Sequence, residues 1–205
     1  MSGVKEGQGE DSASRGPTDR RLRADAQRNI DALLEAAKTV FVAYGVDAPV
    51  REIAEKAGVG IGTIYRHFPQ RSDLIVGVFR REVDACADAA AGLAAEHEPD
   101  EALALWIQRY VDFISAKRGL AAALHSGDPA YNALPAYFQE RLLPAFQGLL
   151  EAAAAAGKVR GGVEPYVLLR AVASLCTPCH DVGADHARRM VDLLIDGLRY
   201  GAAAP

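Results

Sequence analysis

Apolar side chains recur at three- and four-residue steps along most of the chain, which is the spacing of one face of an α-helix. The first such segment ends at Gly45. Its apolar stripe consists of Ile30, Leu33, Ala37, Phe41 and Tyr44. No segment alternates β-branched and polar residues for long, as strands do, and 39 of the 205 residues are Ala, the strongest helix former. The pattern therefore predicts an all-α protein.

Two short helices follow, each of about two turns. Residues 50–57 are predicted to form the first, residues 61–68 the second, and a Gly-containing turn at 58–60 joins them. Pro49 stands where a helix tolerates proline at its start, and Pro69 stops the second helix. Because helices shorter than about 12 residues are unstable alone in water, packing must hold both. This arrangement is the helix-turn-helix that many DNA-binding proteins use.

The second short helix has one apolar and one polar face. We expect Ile61, Ile64 and Phe68 to point inward, since they recur at i, i+3 and i+7. The polar face consists of Gly62, Thr63, Tyr65, Arg66 and His67. No acidic residue occurs between Lys56 and Ser72. Such a helix can enter a DNA major groove without like charge against the phosphates.

The segment 51–68, followed by Arg71 and Leu74, resembles the DNA-binding domain of the tetracycline-repressor (TetR) family. The resemblance covers residues 24–80, and its most specific part reads Gly-Thr-Ile-Tyr-Arg-His-Phe. It implies an N-terminal three-helix DNA-binding domain joined to a C-terminal helical domain for ligand binding and dimerisation. The family consists of homodimeric transcriptional regulators, most often repressors that a small-molecule effector releases from DNA.

The resemblance also implies roles for single residues. Thr63, Tyr65 and His67 match positions close to phosphates and bases, and Arg66 matches the variable position that sets specificity. Arg71 stands where the family usually has Lys at the start of the next helix, and we expect it to contact a phosphate. The full set of expected DNA contacts is Arg51, Gly62, Thr63, Tyr65, Arg66, His67 and Arg71.

We divide the chain into three parts: residues 1–19, a disordered tail; 20–71, the DNA-binding domain; and 72–205, the ligand-binding and dimerisation domain. The tail has too few large apolar groups to fold. The net charge is −4, yet the first 71 residues hold 11 basic and 10 acidic side chains against 12 and 17 in the remainder. This asymmetry favours the N-terminal part as the place where an anion docks. Arg20, Arg21 and Arg23 form either a flexible minor-groove arm or a solvated charge run.

The C-terminal part is predicted to contain helices at 72–95, 100–116, 119–125, 136–156, 164–175 and 185–200. Their wide apolar faces alone are typical of a packed core. The polar groups Tyr110, His125, Tyr131 and His180 beside them indicate that a ligand could be oriented there. We therefore hypothesise an internal cavity lined by some of Trp106, Tyr110, Phe113, His125, Tyr131, Phe146, Leu150 and Cys176. Residues 117–120 and 125–129 resemble the SbtR-like subgroup of the family, without identifying a ligand.

The last two helices are predicted to form the dimer interface. Their apolar stripes include Val167, Leu168, Val172, Leu175, Met190, Leu194 and Leu198. Two such helices from each subunit would make a four-helix bundle. The two recognition helices would then lie about 34–36 Å apart, which fits a palindromic operator. In the alternative interpretation, both stripes are buried within one subunit.

A Cys-Thr-Pro-Cys-His segment leaves a second function open. Cys176, Cys179 and His180, with His186 as a further ligand, would suit a thiol-based switch or a metal site. The alternative is that they are small buried residues at a bent helix end. Covalent haem attachment has the same C-x-x-C-H pattern, but nothing suggests export to where such haems are attached.

Other classes are disfavoured by the sequence. His125, Ser126 and Asp128 are hydrolase-type residues, but the G-x-S-x-G nucleophile motif is absent and the segment is typical of a turn. We therefore expect no enzyme, no cofactor and no bound metal. The chain has no secretory signal pattern and no run of about 18 uncharged apolar residues, and three Cys cannot form a disulfide framework. We expect a cytoplasmic protein associated with the nucleoid.

Overall fold

A computed structural model of the chain describes residues 17–176 and 184–200, with side chains from residue 26 onward. Within these ranges the chain forms nine α-helices and one short 3-10 helix, and no strand. The α-helices are α1 (Pro17–Tyr44), α2 (Val50–Ala57), α3 (Ile61–His67), α4 (Arg71–Glu96), α5 (Pro99–Arg118), α6 (Ala121–Leu124), α7 (Leu134–Ala155), α8 (Pro165–Leu175) and α9 (Ala184–Tyr200). The 3-10 helix, Pro129–Tyr131, precedes α7. The prediction of an all-α protein is confirmed.

The helix ends differ little from the predicted ones. α2 spans the predicted residues, and α3 ends one residue early with Phe68 as its C-cap. α1 begins at Pro17, so residues 17–19 of the predicted tail are helical, whereas residues 1–16 lie outside the described part of the chain. The side chains of the three predicted arm arginines also lie outside it, and the arm stays a prediction.

Helices α1, α2 and α3 pack into a small head. Ile53 and Ala54 of α2 and Ile64 of α3 are buried in one cluster with Leu33, Ala37 and Phe41 of α1, whereas Tyr44, the last residue of the predicted α1 stripe, is 74% exposed. Full burial of an Ile side chain stabilises a fold by about 1.5–3 kcal/mol. Packing of this kind, rather than helix propensity, holds two helices that would not form alone.

Helix α4 belongs to both the head and the body of the molecule. Its first turn is fixed by a capping box, in which the Gln70 N–H donates to the Asp73 carboxylate at 2.9 Å. A Cβ at Gly77 of α4 would lie 3.0 Å from the Phe68 ring and 3.1 Å from Leu34 of α1. Because Gly77 has no side chain, Phe68 and Leu34 can pack closely against α4. Phe68, the C-cap of α3, thus lies on α4.

The body consists of the rest of α4 packed against α5 and α7, with α8 packed on α5 and α7 and with α9 packed on α5 and α8. Its centre is a group of stacked aromatic rings with centroids 5.2–6.2 Å apart: Trp106, Tyr110, Phe113, Phe138 and Phe146. The indole N–H of Trp106 donates to the Cys86 carbonyl oxygen at 2.9 Å. The one polar atom of the largest ring in this core therefore has a hydrogen-bond partner.

The body touches the head again at the turn after α5. A Cβ on Gly119 would lie 2.6 Å from the carbonyl oxygen of Phe41 and 2.9 Å from the Cα of Val42. A backbone cannot give way as a flexible side chain can. Glycine is therefore required here, and α1 and the end of α5 are in direct backbone contact.

Candidate functional site

The turn between α2 and α3 is built by glycine. Gly58 has a φ of +67°, the left-handed conformation that glycine adopts without steric cost. The N–H groups of Gly58 and Val59 donate to the carbonyl oxygens of Glu55 and Ala54, at 3.2 and 3.0 Å. These bonds end α2 and reverse the chain so that α3 begins at Ile61.

Helix α3 exposes the predicted polar face. Ile64 is 1% exposed and anchors the helix, whereas Gly62, Tyr65, Arg66 and His67 are exposed and Thr63 is half-buried. A Cβ on Gly62 would meet nothing within 4 Å, so another molecule can approach the backbone there. We call these five outer residues (62, 63, 65, 66 and 67) the α3 face.

One part of the predicted inward stripe is wrong. Ile61 is 42% exposed, beside the exposed Tyr65 one turn later, and Phe68 is only half-buried. α3 has only seven residues, of which Ile64 is the buried one, so the first turn that holds Ile61 lies at the surface. Ile61 and Tyr65 therefore add an apolar edge to the α3 face, which the periodicity of the helix did not reveal.

Two arginines near the α3 face, Arg66 and Arg51, have no ion pair or only a weak one among the described residues. Arg66 and His67 stand in the last turn of α3, with no ion pair to any residue that the structure describes. Arg51 of α2 is 76% exposed at its side chain and lies 3.8 Å from the Glu52 carboxylate. An exposed pair at that distance is worth little. Arg51 thus remains available to an external anion.

Arg71, expected to contact a phosphate, makes its described contacts within the protein. Its Nε and one terminal nitrogen donate to the carbonyl oxygens of Val46 and Ala48 in the loop between α1 and α2. Its guanidinium also lies 5.9 Å from the centroid of the Phe41 ring. The start of α4 is thereby tied to the head from within. Arg71 is thus a structural link within the protein, and its contact with a phosphate stays a prediction.

A cleft of about 740 Å³ opens in the body between α4, α5, α7 and α8. It is lined by Phe79, Tyr110, Ile114, Lys117, Leu124, His125, Tyr131, Leu134, Pro135, Phe138, Gln139, Tyr166, Leu169, Arg170, Ala173 and Ser174. Three of the residues predicted from sequence are among them: Tyr110, His125 and Tyr131. The volume is in the range of small-molecule sites.

The other five predicted lining residues are core, which corrects the predicted site. Trp106 and Phe146 are fully buried against each other, with ring centroids 5.2 Å apart, and Phe113, Leu150 and Cys176 are also buried. These side chains fill the space that the prediction left for a ligand. The cleft lies further out, on the side of Tyr110 that faces α7 and α8.

A signal for the missed residues exists in α5. Tyr110, Ile114 and Lys117 recur at i, i+4 and i+7, so they share one helix face. A lysine on the apolar face of a core helix is unusual, since lysine is rarely buried without a partner. That position could have marked the cleft from sequence.

The polar turn after α6 is a capping structure. Nδ1 of His125 donates to the Ala121 carbonyl oxygen at 2.8 Å, which leaves Nε2 as the free ring nitrogen. The Asp128 N–H donates to the Ser126 hydroxyl oxygen at 3.2 Å, and the Asp128 carboxylate accepts from the Ala130 N–H at 2.9 Å. These bonds start the 3-10 helix and do not join the three side chains into a nucleophilic triad.

The predicted dimer residues divide into two groups. Leu168, Val172 and Leu198 are buried within the subunit, so the alternative interpretation is correct for them. Their helices turn these side chains towards the core of the body. Leu175, Met190 and Leu194 are half-buried, and Val167 is 63% exposed. Leu193 of α9, 66% exposed, is a further outward apolar group.

The second predicted function falls largely outside the described residues. Cys179 and His180 lie in the segment 177–183, of which the structure gives no description. Cys176 is buried, and burial raises the pKa of its thiol. In the described ranges no group of His, Cys, Asp and Glu is arranged to hold a metal ion. In the same ranges no helix has the length and apolarity to cross a membrane.

Family models match both parts of the chain. The model for bacterial regulatory proteins of the tetR family matches residues 33–78, and the model for the C-terminal domain of SbtR-like transcriptional regulators matches residues 98–200. The second match alone covers half of the chain. Both resemblances predicted from sequence are therefore confirmed.

Solved structures agree over nearly their whole length. A TetR transcriptional regulator from Streptomyces coelicolor is 39% identical with a TM-score of 0.68, and the match covers 83% of this chain and 98% of that one. A TetR transcription regulatory protein from Mycobacterium vanbaalenii is 37% identical with a TM-score of 0.69, covering 87% and 99%. FadR from Bacillus subtilis, solved with stearoyl-CoA, shares the fold at 19% identity and a TM-score of 0.60, covering 83% and 97%.

Curated relatives match over about a third of the chain. An HTH-type transcriptional regulator of Staphylococcus aureus (strain USA300) is 39% identical over 64 residues, which are 31% of this chain and 35% of its own length. The matched part is thus about a third of that relative. Taken with the family models and the two solved structures above 35% identity, the helix-turn-helix head and the helical body establish that the chain belongs to the TetR family of transcriptional regulators.

Proposed function

We propose that this chain is a homodimeric repressor that reads a palindromic operator with α3 and leaves it when a small molecule occupies the cleft. Regulators of the family are typically dimeric, ligand-responsive repressors. The observation that carries the proposal is the α3 face: exposed, free of acidic groups, and seated on the rest of the fold by the buried Ile64. We infer that the protein catalyses no reaction and works in the cytoplasm, at the nucleoid, because its partner is chromosomal DNA.

The residues of the α3 face suit different parts of a duplex. Arg66 can bind a guanine through two hydrogen bonds, which gives about 1–3 kcal/mol of discrimination between bases. Thr63, Tyr65 and His67 offer donors to phosphates, and the bare backbone at Gly62 allows close approach. The exposed apolar edge beside them adds a contact for a thymine methyl group.

Arg51 supplies the phosphate contact on α2. Its side chain projects from the second residue of the helix and is held only by a weak exposed pair with Glu52. Neutralising one phosphate releases a counterion, so the contact adds affinity without sequence preference. Arg71 contributes indirectly, since it fixes the loop before α2.

The outward apolar groups of α8 and α9 support a dimer. Val167 and Leu193 are more than half exposed on the last two helices, and half-buried Leu175, Met190 and Leu194 accompany them. A second copy of this chain would cover all five in a four-helix bundle. The two α3 helices would then meet successive major grooves on one side of the duplex.

Two contacts connect the cleft to the head. Lys117 lines the cleft, and Gly119, two residues later, abuts the backbone of Phe41 in α1. Tyr131 also lines the cleft, and a second, shallower groove brings it together with Arg71 at the start of α4. A ligand that moves α5 or the 3-10 helix therefore acts on α1 and α4. A coupling of about 1–3 kcal/mol changes DNA affinity 5–150-fold.

Selection of bound sequences from random duplex tests the proposal. We expect an imperfect palindrome with half-sites one helical turn apart. On that duplex Arg66→Ala should lose affinity about tenfold or more, yet lose little on random duplex. The matched control is Arg160→Ala, an exposed arginine of the body. Failure to enrich any sequence, or equal losses for both variants, would contradict the proposal.

A further inference from the structure

The cleft carries positive charge without a counter-charge. Among the described residues, its lining includes Lys117 and Arg170 and not one Asp or Glu. Most ion-pair partners in the described ranges lie elsewhere, on the outer surfaces of α1, α4, α5 and α9. Two cations without an acidic group would repel a cationic ligand and would serve no purpose for a neutral one. The charge of the cleft therefore indicates an anionic occupant.

Lys117 is the group that most needs explanation. It is half-buried on the apolar face of α5, and burial lowers the pKa of its ammonium. Within the part of the chain that the structure describes, it pairs with no carboxylate, and its ammonium lies 6.0 Å from the centroid of the Phe138 ring on α7. Glu82 borders a narrow gap on the other side of Lys117, but its carboxylate pairs with Lys38 at 2.9 Å. A buried cation without a partner destabilises the fold unless an anion joins it.

Arg170 approaches the same space from α8. Burial raises the pKa of Tyr110 on α5, and the charge of Arg170 acts in the opposite direction on that phenol. The guanidinium is therefore close enough to the inner wall of the cleft to influence a group there. Two cations from facing helices thus flank the cleft, one half-buried and one exposed.

The remaining lining is mainly apolar and aromatic. Phe79 and Phe138 supply ring faces, and Ile114, Leu134 and Leu169 supply aliphatic surface. Three tyrosines, Tyr110, Tyr131 and Tyr166, and one serine, Ser174, are also in the lining. A ligand bound here would bury an apolar body and place one charged end between α5 and α8.

We propose that the effector is a small organic acid, whose carboxylate pairs with Lys117 and Arg170 and whose aromatic or aliphatic body packs on Phe79 and Phe138. The inference rests on the proposed function, in which the cleft holds the effector. It adds the chemical class of the effector and the two residues that select it. Arginine and lysine together suit a carboxylate, because one offers a bidentate fork and the other a point charge.

Two fluorescent probes that differ only by an anionic group test the charge preference. 8-Anilino-1-naphthalenesulfonate carries a sulfonate, and N-phenyl-1-naphthylamine has the same rings without it. We expect the anionic probe to bind at least about tenfold more tightly, the value of one charge-assisted hydrogen bond. Lys117→Met should remove that preference, whereas Lys117→Arg should keep it. The control Lys158→Met removes an exposed lysine outside the cleft.

Displacement of the anionic probe then defines the class. Octanoate should displace it, whereas octanamide and octylamine should not, since they share the chain and lack the negative charge. Arg170→Met provides a second variant on an exposed position, where folding is not at stake. Equal binding of both probes, or tight anionic binding that survives Lys117→Met and Arg170→Met, would overturn the inference.

Duplex binding without probe separates the two proposals. If neither probe binds while the selected operator is still bound, the effector inference fails and the DNA-binding role stands. If octanoate binds at the cleft but no duplex is selected, the DNA-binding role fails instead. Octanoate that binds through Lys117 and weakens operator binding in the wild type but not in Lys117→Met supports both.

Discussion

The α3 face and the cleft both carry positive charge and, among the described residues, no acidic group, but the cations of the two regions differ in hydration. On the α3 face the guanidinium of Arg66 is exposed, so it keeps its hydration and does not destabilise the fold. In the cleft Lys117 is half-buried and partly stripped of water. Exposed cations gain affinity for a polyanion by counterion release, which salt weakens. A desolvated cation interacts more strongly with one charge and is screened less. Positive charge thus binds a long polyanion at the α3 face and a small organic acid in the cleft.

The first prediction concerns the anchor of α3 and its exposed neighbour. Ile64→Ala removes a fully buried side chain and should lower the free energy of unfolding by about 2–5 kcal/mol. The matched change Ile61→Ala should cost about 0.5 kcal/mol or less, because Ile61 is largely exposed. Urea denaturation followed by circular dichroism measures both. Similar losses for the two variants would show that Ile61 is buried after all.

The second prediction concerns Arg71. Arg71→Ala breaks two hydrogen bonds from a charged group to the loop before α2, and we expect a loss of about 1.5–3 kcal/mol in unfolding free energy. The slope of log affinity against log salt should stay unchanged, since Arg71 releases no counterion. Fluorescence anisotropy on duplex at several salt concentrations provides that slope. A flatter slope with unchanged stability would restore the phosphate role.

The third prediction concerns the pH dependence of stability. Folding lowers the pKa of Lys117 below its ordinary value of 10.5, so the unfolded chain binds more protons between the two pKa values. The cost of the buried charge is therefore complete at neutral pH and disappears as pH rises towards 10.5. Lys117→Met should raise the melting temperature at pH 7, with a gain that shrinks in alkali. The gain should be absent in Lys158→Met; a gain independent of pH would contradict the buried charge.

The fourth prediction concerns Arg51. Arg51→Ala should reduce the slope of log affinity against log salt by about one and weaken specific and random duplexes alike. The thermal stability should not change, because the side chain is exposed. Titrations of both duplexes at three or more salt concentrations supply the numbers. A loss confined to the selected operator would assign Arg51 to a base instead.

The sequence predicted a region well where its structure depends on residues that are neighbours in the chain, and less well where it depends on distant residues. Neighbours within a few residues determine the bounds of the helix at 50–57, the glycine turn after it and the outward direction of the α3 face. These expectations agree with the structure. The exposure of Ile61 depends on how α3 packs against the rest of the head, which the periodicity of the helix alone does not give. The partners of Arg71 lie 23 and 25 residues earlier in the chain, beyond any local pattern.

The cleft was predicted less well for the same physical reason. Apolar periodicity shows that a side chain faces inward, and Trp106 and Phe146 do. The periodicity does not show whether the interior of the body beside these rings is filled by side chains or contains a cavity. That depends on how rings from three helices pack together. Only an unusual residue type, such as Lys117 on an apolar face, carries that information locally.

Amide hydrogen exchange on the selected operator tests the DNA-reading role of α3 most directly. On binding duplex, deuterium uptake by the protein should slow most in peptides that contain residues 61–67. Octanoate bound to the free protein should instead slow uptake most in peptides that contain Lys117 or Phe138. Protection by duplex that avoids residues 61–67 and falls on the body would contradict it.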